Sequence, residues 1–360
     1  MGARFIGKLG SRLSPRTVGA IYLWISLVAI FSGLSPHVFP DYATVKQVLN
    51  EYAIEGLVAL GLLVPLAAGL YDLSIGSMVG LSAISSAWFL YHVSVNPFLA
   101  ALVGVGAALA VGVLNIVVVV VMRVDSFIGT LATQSVAAAL VVGVSGGNTI
   151  DINANGSFSQ WLGVKSVLGL TMPVALMILT MLVLGYLLER TVTGREIYAT
   201  GYDREVARLG GIRADRLRAV SLLVSALLCG VAGIAETAAL GSGAPTVGPP
   251  FLLPAFAAVF LGATQFRHGR FNPWGTVVAV LLLGTGAVGL VVVGAPTWAP
   301  DIFEGVVLFV AVALTSTHGG VNPLRSLRER MRRPRDGEVA MDSAHPPTRR
   351  KRFLRVSSGR

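Results

Sequence analysis

Long apolar runs, interrupted by few charges, limit what this chain can fold into. Residues 17–39, 97–122 and 219–240 each reach the length of about 20 residues that an α-helix needs to cross a bilayer. Charged residues make up only 13% of the chain, against roughly 25% in soluble domains. In lipid only helices and closed barrels satisfy every backbone group, and these runs lack the strict alternation of barrel strands. The sequence therefore predicts an all-α, polytopic membrane protein.

Loop-like stretches divide the chain into about ten predicted spans. Gly, Asn, Ser and Pro are concentrated in residues 145–160 and 241–250, which read as loops or irregular structure. The apolar stretch 251–262 is too short for a full span, so a half-helix is expected there. We therefore predict a membrane helix bundle that contains broken or half helices.

Basic residues cluster at both ends of the chain. The first 16 residues contain four bases and no acid, and the residues after His318 contain twelve bases and four acids. Basic segments beside membrane spans remain in the cytoplasm, which argues against nucleic-acid binding here. We expect a cytoplasmic N-terminus at 1–16, a transmembrane domain at 17–317 and a basic, disordered cytoplasmic tail at 318–360.

A charged segment, residues 189–218, interrupts the apolar chain near its middle. It holds seven basic and five acidic residues, and each charged side chain at a helix centre in a bilayer costs about 2.5 to 3.5 kcal/mol. The segment must therefore lie in water. Asp203 is a suitable N-cap for a short helix, and Gly210 and Gly211 would end it. Spacing alone leaves two interpretations open: a solvated loop between spans, or a docking element for a cytoplasmic partner.

Polar residues inside the apolar runs are the other candidates for function. Asp72 lies between two apolar segments with Gly69, Gly76 and Gly80 nearby, and such an aspartate is costly unless it faces water, protein or a helix end. A broken helix is therefore expected there. Hydroxyl and amide groups suit a path for a hydroxylated solute, and they suit close helix packing equally well, so both readings stay open. The candidates for the path or the break are Asp72, Ser74, Gly76, Ser82, Asn115, Thr130, Gln134 and Glu236.

The sequence offers no recognisable set of catalytic or metal-binding residues. Its five histidines are scattered without the spacing of metal ligands, and Cys229 is the single cysteine. We therefore predict no catalytic residue, no metal site and no cofactor on this chain, and we do not expect it to be an enzyme.

Four motifs occur in order along the apolar part of the chain. Residues 71–77 read YDLSIGS, residues 126–131 read SFIGTL, residues 194–212 contain GREIYA and EVARLGGI, and residues 261–276 read LGATQFRHGRFNPWGT. These motifs resemble those of the membrane permease subunits of ribose-type sugar ABC importers. The resemblance extends over residues 50–316 and leaves out the basic tail.

The resemblance implies a permease in the cell inner membrane, with both termini in the cytoplasm. Its implied partners are separate ATPase subunits that carry ATP and Mg, an extracytoplasmic solute-binding protein, a second permease protomer in a homodimer or heterodimer, and the lipid bilayer. Residues 189–218 would form the loop that couples to the ATPase. The coupling residues are expected to be Asp203, Glu205, Val206, Ala207, Arg208, Leu209, Gly210 and Gly211.

Two other functions are also compatible with the sequence. A branched-chain amino-acid ABC permease would share the architecture, although its motif near the Asp72 break differs from the DLSIGS found here. An ion-coupled secondary transporter would need a charged pair inside the membrane, and the acidic candidates Asp72 and Glu236 have no basic residue within the spans to face them.

Overall fold

The computed structural model describes residues 15–152, 156–164, 166–167, 170–266 and 269–318. Residues 1–14 and 319–360, which hold most of the two predicted cytoplasmic ends, lie outside these ranges. The described residues form a helical bundle, which confirms the predicted all-α class. Its α-helices are α1 Pro15–Leu34, α2 Tyr42–Ala67, α3 Ile75–His92, α4 Pro97–Asn115, α5 Ser126–Ser145, α6 Met172–Arg190, α7 Val192–Tyr202, α8 Arg204–Leu209, α9 Ala214–Leu240, α10 Leu252–Ala263, α11 Pro273–Val292 and α12 Ala299–His318.

Short irregular elements connect these helices. Two two-stranded antiparallel ladders occur in the described residues, and the first joins parts of the chain that are about ninety residues apart, with Ile150 opposite Gly243. The strands are β1 Ile150–Asp151, β2 Ser166–Val167, β3 Leu170–Thr171 and β4 Ser242–Gly243, with β1 paired to β4 and β2 to β3. The π-helical turns are Ile116–Val121 and Ser159–Val164, and Pro249–Phe251 forms a 3₁₀ turn.

Side-chain caps fix where several membrane helices begin. The Asn96 side chain accepts hydrogen bonds from the first backbone N–H groups of α4, and Asp125 does the same for α5. Asn272 caps α11 through its hydrogen bond with the Gly275 N–H. In α4 and α11 a proline occupies the first helical turn, where its missing N–H costs nothing.

The centre of the bundle is formed by α2 and α9. Helix α9 packs against α2, α3 and α4. Helices α10, α11 and α12 pack on one another, and α10 and α11 also pack on α2. Most of α2 beyond Tyr52 is buried, including Leu57, Leu60 and Leu63. By contrast, α4, α5 and α6 expose many Leu, Val and Ile side chains, which suits helices that face lipid or another membrane protein.

Six of the described helices are long and apolar enough to cross a membrane, and residues 19–34 and 249–263 form shorter apolar helices. The chain is therefore a multi-pass membrane protein. The six helices are Tyr42–Ala67, Pro97–Val121, Ser126–Ser145, Met172–Arg190, Ala214–Leu240 and Pro273–Val292. A total of about ten crossings stays a prediction.

The helical path is broken in two places inside the bundle. Helix α2 ends at Ala67 and α3 begins only at Ile75, and residues 241–251 between α9 and α10 are largely non-helical. The second irregular segment meets the start of α3, just after the first break, where Gly76 and Gly248 lie backbone to backbone. A Cβ atom on Gly76 would lie 2.9 Å from the Gly248 carbonyl oxygen. Irregular backbone is tolerated at membrane depth only where protein or water covers it, and here protein does.

Candidate functional site

Asp72 lies fully buried in the break between α2 and α3. Its Oδ1 accepts hydrogen bonds from the Ser74 hydroxyl at 2.6 Å and from the Ser74 N–H at 3.1 Å. Its Oδ2 accepts one from the Ser225 hydroxyl of α9 at 2.9 Å. A buried carboxyl group is costly unless polar partners replace the water it has lost, and these three donors do so.

Asn115, the last residue of α4, extends this network to two more helices. Its Nδ2 donates to the Ser74 hydroxyl at 2.8 Å and lies 3.5 Å from Asp72 Oδ1. Its Oδ1 accepts from the hydroxyl of Thr133 on α5. The network therefore joins the break to α4, α5 and α9. We call Asp72, Ser74, Asn115, Thr133 and Ser225 the Asp72 network.

Helix α5 also binds the backbone of the break. The Tyr71 N–H donates to the Ser126 hydroxyl at 3.1 Å, and the Leu73 N–H donates to the Thr130 hydroxyl at 3.0 Å. One turn along α3, the Ser77 hydroxyl donates to the Gln134 carbonyl at 3.1 Å. The bonds of Tyr71 and Leu73 satisfy backbone N–H groups that the interrupted helix leaves free, which explains how a break can persist inside an apolar bundle.

The structure thus brings together half of the residues proposed for the path or the break. The four residues found at the break are Asp72, Ser74, Asn115 and Thr130. Ser82 lies elsewhere: its hydroxyl donates to the Gly230 carbonyl at 2.8 Å and helps to pack α3 on α9. Gly76 faces Gly248, Gln134 contributes its carbonyl, and the half-buried Glu236 lies far along α9. In this conformation the members of the Asp72 network contact one another and are almost completely buried.

Three functional candidates, Thr133, Ser225 and Glu55, lie outside the set of path or break residues predicted from the sequence. Ser225 was missed because its immediate neighbours in the sequence are all apolar. On the folded helix, however, Ser221, Ser225 and Cys229 share one face of α9 at four-residue spacing. Glu55 is buried on α2, and its Oε1 has no hydrogen-bond partner among the described residues. Within the same residues, no group of three His, Cys, Asp or Glu side chains is placed to hold a metal ion.

The charged segment forms two short helices, α7 and α8, separated by Asp203. Asp203 Oδ1 accepts from the N–H groups of Glu205 at 2.9 Å and Val206 at 3.0 Å, which confirms the predicted cap. Helix α8 ends at Leu209 and Gly210 follows as its C-cap.

Helix α8 presents an apolar surface to solvent. Leu209 is 89% exposed, Val206 is 63% exposed, and Tyr202 at the end of α7 is 95% exposed, whereas Ala207 turns inward. Arg208 Nη1 lies 3.5 Å from Glu205 Oε1 on the same exposed helix. We call Tyr202, Val206 and Leu209 the apolar tip. Large apolar side chains exposed together where two short helices meet form a surface that another protein can cover.

Both short helices are tied to the membrane bundle. Arg204 donates to Asp215 at the start of α9, with Nη2 at 2.7 Å and Nε at 3.1 Å from the same carboxylate oxygen. The Tyr198 hydroxyl on α7 donates to the Phe271 carbonyl at 2.6 Å, and the Arg270 guanidinium lies 3.5 Å from the centre of the Tyr198 ring. An open groove of about 490 Å³ runs beside α7, lined in part by Leu66, Ala67 and Tyr202.

Comparison with known proteins identifies the family. Residues 44–312 match the family model described as the permease component of the branched-chain amino acid transport system. The ribose import permease protein RbsC of Bacillus subtilis (strain 168) is 33% identical over 80% of this chain and 89% of its own length.

Two further relatives agree with this match. The fructose import permease protein FrcC of Rhizobium meliloti is 33% identical over 84% of this chain and 85% of its own. The D-allose transport system permease protein AlsC of Escherichia coli (strain K12) is 30% identical over 82% of this chain and 90% of its own. The chain belongs to the permease family of the ribose-type ABC importers, which is related to the branched-chain amino-acid permeases.

Proposed function

We propose that this chain is the translocation subunit of an ABC importer for a monosaccharide or a similar hydroxylated solute. The observation that carries the proposal is the similarity, over more than three quarters of the chain, to permeases named for ribose, fructose and allose. The hydroxyl and amide groups near the helix break are compatible with such a solute because they exchange hydrogen bonds without trapping a charge.

The partners follow from this assignment. Two copies of the permease, identical or different, would form the path in the inner membrane, and a solute-binding protein would deliver the sugar from outside. Separate ATPase subunits would bind ATP and Mg at the cytoplasmic face, so this chain itself needs no catalytic residue. Residues 1–16 and 318–360 would lie in the cytoplasm, on the same side as the coupling loop 189–218.

The coupling contact would be made by residues 203–211. In support of this role, the apolar tip is exposed while α8 is held by its Asp203 cap and by the ion pair between Arg204 and Asp215. ATP-driven closure of the ATPase subunits would displace α8 and favour one of two permease conformations, which is a population shift caused by a partner.

The Asp72 network would act on the shape of the path. Its polar groups are satisfied by one another in this conformation, so they would hold the break in place between α4, α5 and α9. A change in the relative positions of these helices would require some of these hydrogen bonds to be broken and replaced by others. The network would therefore favour two discrete arrangements of the path.

Reconstitution into liposomes tests the proposal. The chain would be reconstituted with the ATPase and the solute-binding protein of the same importer. Uptake of labelled ribose, fructose, allose, arabinose and leucine would then be measured with and without ATP on the side of the membrane where the ATPase lies. We expect ATP-dependent uptake of one or more of the sugars. An ATPase with its phosphate-binding lysine replaced is the control and should abolish uptake.

Two results would contradict the proposal. Preferential uptake of leucine would favour the branched-chain amino-acid permease. Uptake by the chain alone, driven by an ion gradient and insensitive to removal of ATP, would favour the secondary transporter.

A further inference from the structure

The end of α7 lies directly against the end of α2. Gly201 is the penultimate residue of α7, and a Cβ atom placed on it would overlap the Ala67 carbonyl oxygen and lie 2.9 Å from the Gly69 nitrogen. A Cβ atom on Gly69 would lie 3.0 Å from the Gly201 Cα atom. The two backbones therefore touch with no side chain between them, and neither can approach the other further.

The chain between this contact and Asp72 is short and internally bonded. The Gly69 N–H donates to the Leu66 carbonyl at 3.1 Å, and the Leu70 N–H donates to the Pro65 carbonyl at 2.8 Å. Leu70 is fully buried, and Asp72 is bonded to α9 through Ser225. The segment that Gly201 touches thus forms one body with the end of α2, and it leads within three residues to the Asp72 network.

On the other side of the contact, α7 is joined closely to α8. Asp203 is the single residue between the two helices, and its N–H donates to the Ala199 carbonyl of α7 at 3.2 Å while its side chain caps α8. There is little free chain to absorb a movement of α8. A displacement of α8 must therefore be passed to the end of α7, where Gly201 is located.

We propose that Gly201 and Gly69 form a transmission contact, through which movement of α8 reaches the helix break and its Asp72 network. This inference rests on the proposed function, because it assumes that an ATPase moves α8. It adds positioning residues that lie outside the docking surface itself. The close approach of two glycine backbones makes the contact stiff, since no flexible side chain can yield between them.

The first test is Gly201→Ala in the reconstituted importer. The added methyl group would force α7 away from Ala67, while the exposed surface of α8 would be unchanged. We expect the ATPase to co-purify in normal amount and to hydrolyse ATP, and sugar uptake per ATP to fall about tenfold, a typical size for coupling between sites.

The matched control is Gly106→Ala, the same change on an exposed face of α4 where no atom lies within 4 Å of the new Cβ position. It should import sugar at the wild-type rate. Uptake by Gly201→Ala within twofold of this control would overturn the proposal.

A second test leaves the contact intact and so does not depend on how Gly201→Ala folds. Spin labels would be placed at Ala199→Cys on α7 and Tyr71→Cys in the break, two exposed positions on either side of the contact and outside the apolar tip. The native Cys229 is fully buried and should not react. Distances between the labels would be measured without nucleotide and with the ATPase trapped in its ATP-bound state.

We expect the distance between the two labels to change by no more than about 2 Å, the scale of a small helix shift. A change of about 5 Å, the scale of one helical turn, would show that α7 slides past the break and would overturn the proposal. If the wild-type chain retains no ATPase and imports no sugar, the proposed function itself is wrong. If it does both and Gly201→Ala also imports normally, the transmission contact alone is wrong.

Discussion

The Asp72 network and the apolar tip differ in the polarity and in the burial of their side chains. In the network, polar groups from the break, α4, α5 and α9 are buried and hydrogen-bonded to one another. At the tip, Tyr202, Val206 and Leu209 are exposed apolar groups. In the network, hydrogen bonds between its members replace the hydrogen bonds to water that were lost on burial. At the tip, the apolar side chains still have surface area that a partner could bury. The first region therefore stabilises the chain, and the second is suited to a partner.

The largest effect on stability is expected from Asp72→Ala. The substitution removes the acceptor of Ser74 and Ser225 and leaves buried donors unsatisfied, each costing about 1 to 3 kcal/mol. The melting temperature in mild detergent should therefore drop by several degrees, with a loss of about 3 kcal/mol in the free energy of unfolding. Asp72→Asn keeps the shape and one acceptor oxygen, so it should retain more of the stability. Equal melting temperatures for Asp72→Ala and the wild type would show that the network does not stabilise the break.

A functional effect without a stability effect is expected at the tip. Val206→Asp combined with Leu209→Asp places charges on a surface that the proposed function assigns to the ATPase, and exposed changes of this kind usually alter stability by less than about 0.5 kcal/mol. Retention of the ATPase on co-purification should be lost, while the melting temperature stays unchanged. Arg208→Glu should weaken coupled transport in the same way.

The control for the tip variants is Val38→Asp, at an exposed position between α1 and α2 that is remote in sequence from the coupling loop. It should retain the ATPase fully. If the double aspartate variant binds the ATPase as tightly as Val38→Asp does, the tip is not the docking surface.

The smallest effect is expected for the ion pair that anchors α8 to α9. Arg204 and Asp215 are partly exposed, and such pairs contribute about 0.2 to 1 kcal/mol. A double-mutant cycle with Arg204→Ala and Asp215→Ala should give a coupling energy in this range, measured by thermal unfolding, and the coupling should decrease as salt is added. A coupling energy that does not change between low and high salt would indicate that the pair acts through packing instead.

Local patterns in the sequence predicted the features that depend on nearby residues. The apolar runs predicted a membrane helix bundle, Asp203 predicted the cap of α8, and the glycines around Asp72 indicated a broken helix where the structure has one. Each of these depends on a few consecutive residues. The comparison with known families then confirmed the ribose-type resemblance that the motifs carried.

Contacts between distant parts of the chain could not be predicted in this way. Ser225 meets Asp72 across 153 positions, and the pairing of Ile150 with Gly243 depends on how α9 is placed in the bundle. The backbone contact between Gly201 and Ala67 requires knowing that α7 folds back onto α2. A serine or glycine in an apolar run carries no local sign of such a partner, because the same residues also allow ordinary close packing of helices.

The short helix α10 has a consequence for how the protein enters the membrane. Its twelve residues span about 18 Å, well below the roughly 30 Å of the hydrocarbon core. The irregular residues 241–251 that precede it carry backbone groups which need a protein neighbour, and Gly76 of α3 supplies one. Helix α10 is therefore poorly suited to insert as an independent span during synthesis. It should reach its final position only once α2, on which it packs, and α3, which covers residues 241–251, are in place. The length of this one helix thus constrains the order in which the bundle assembles.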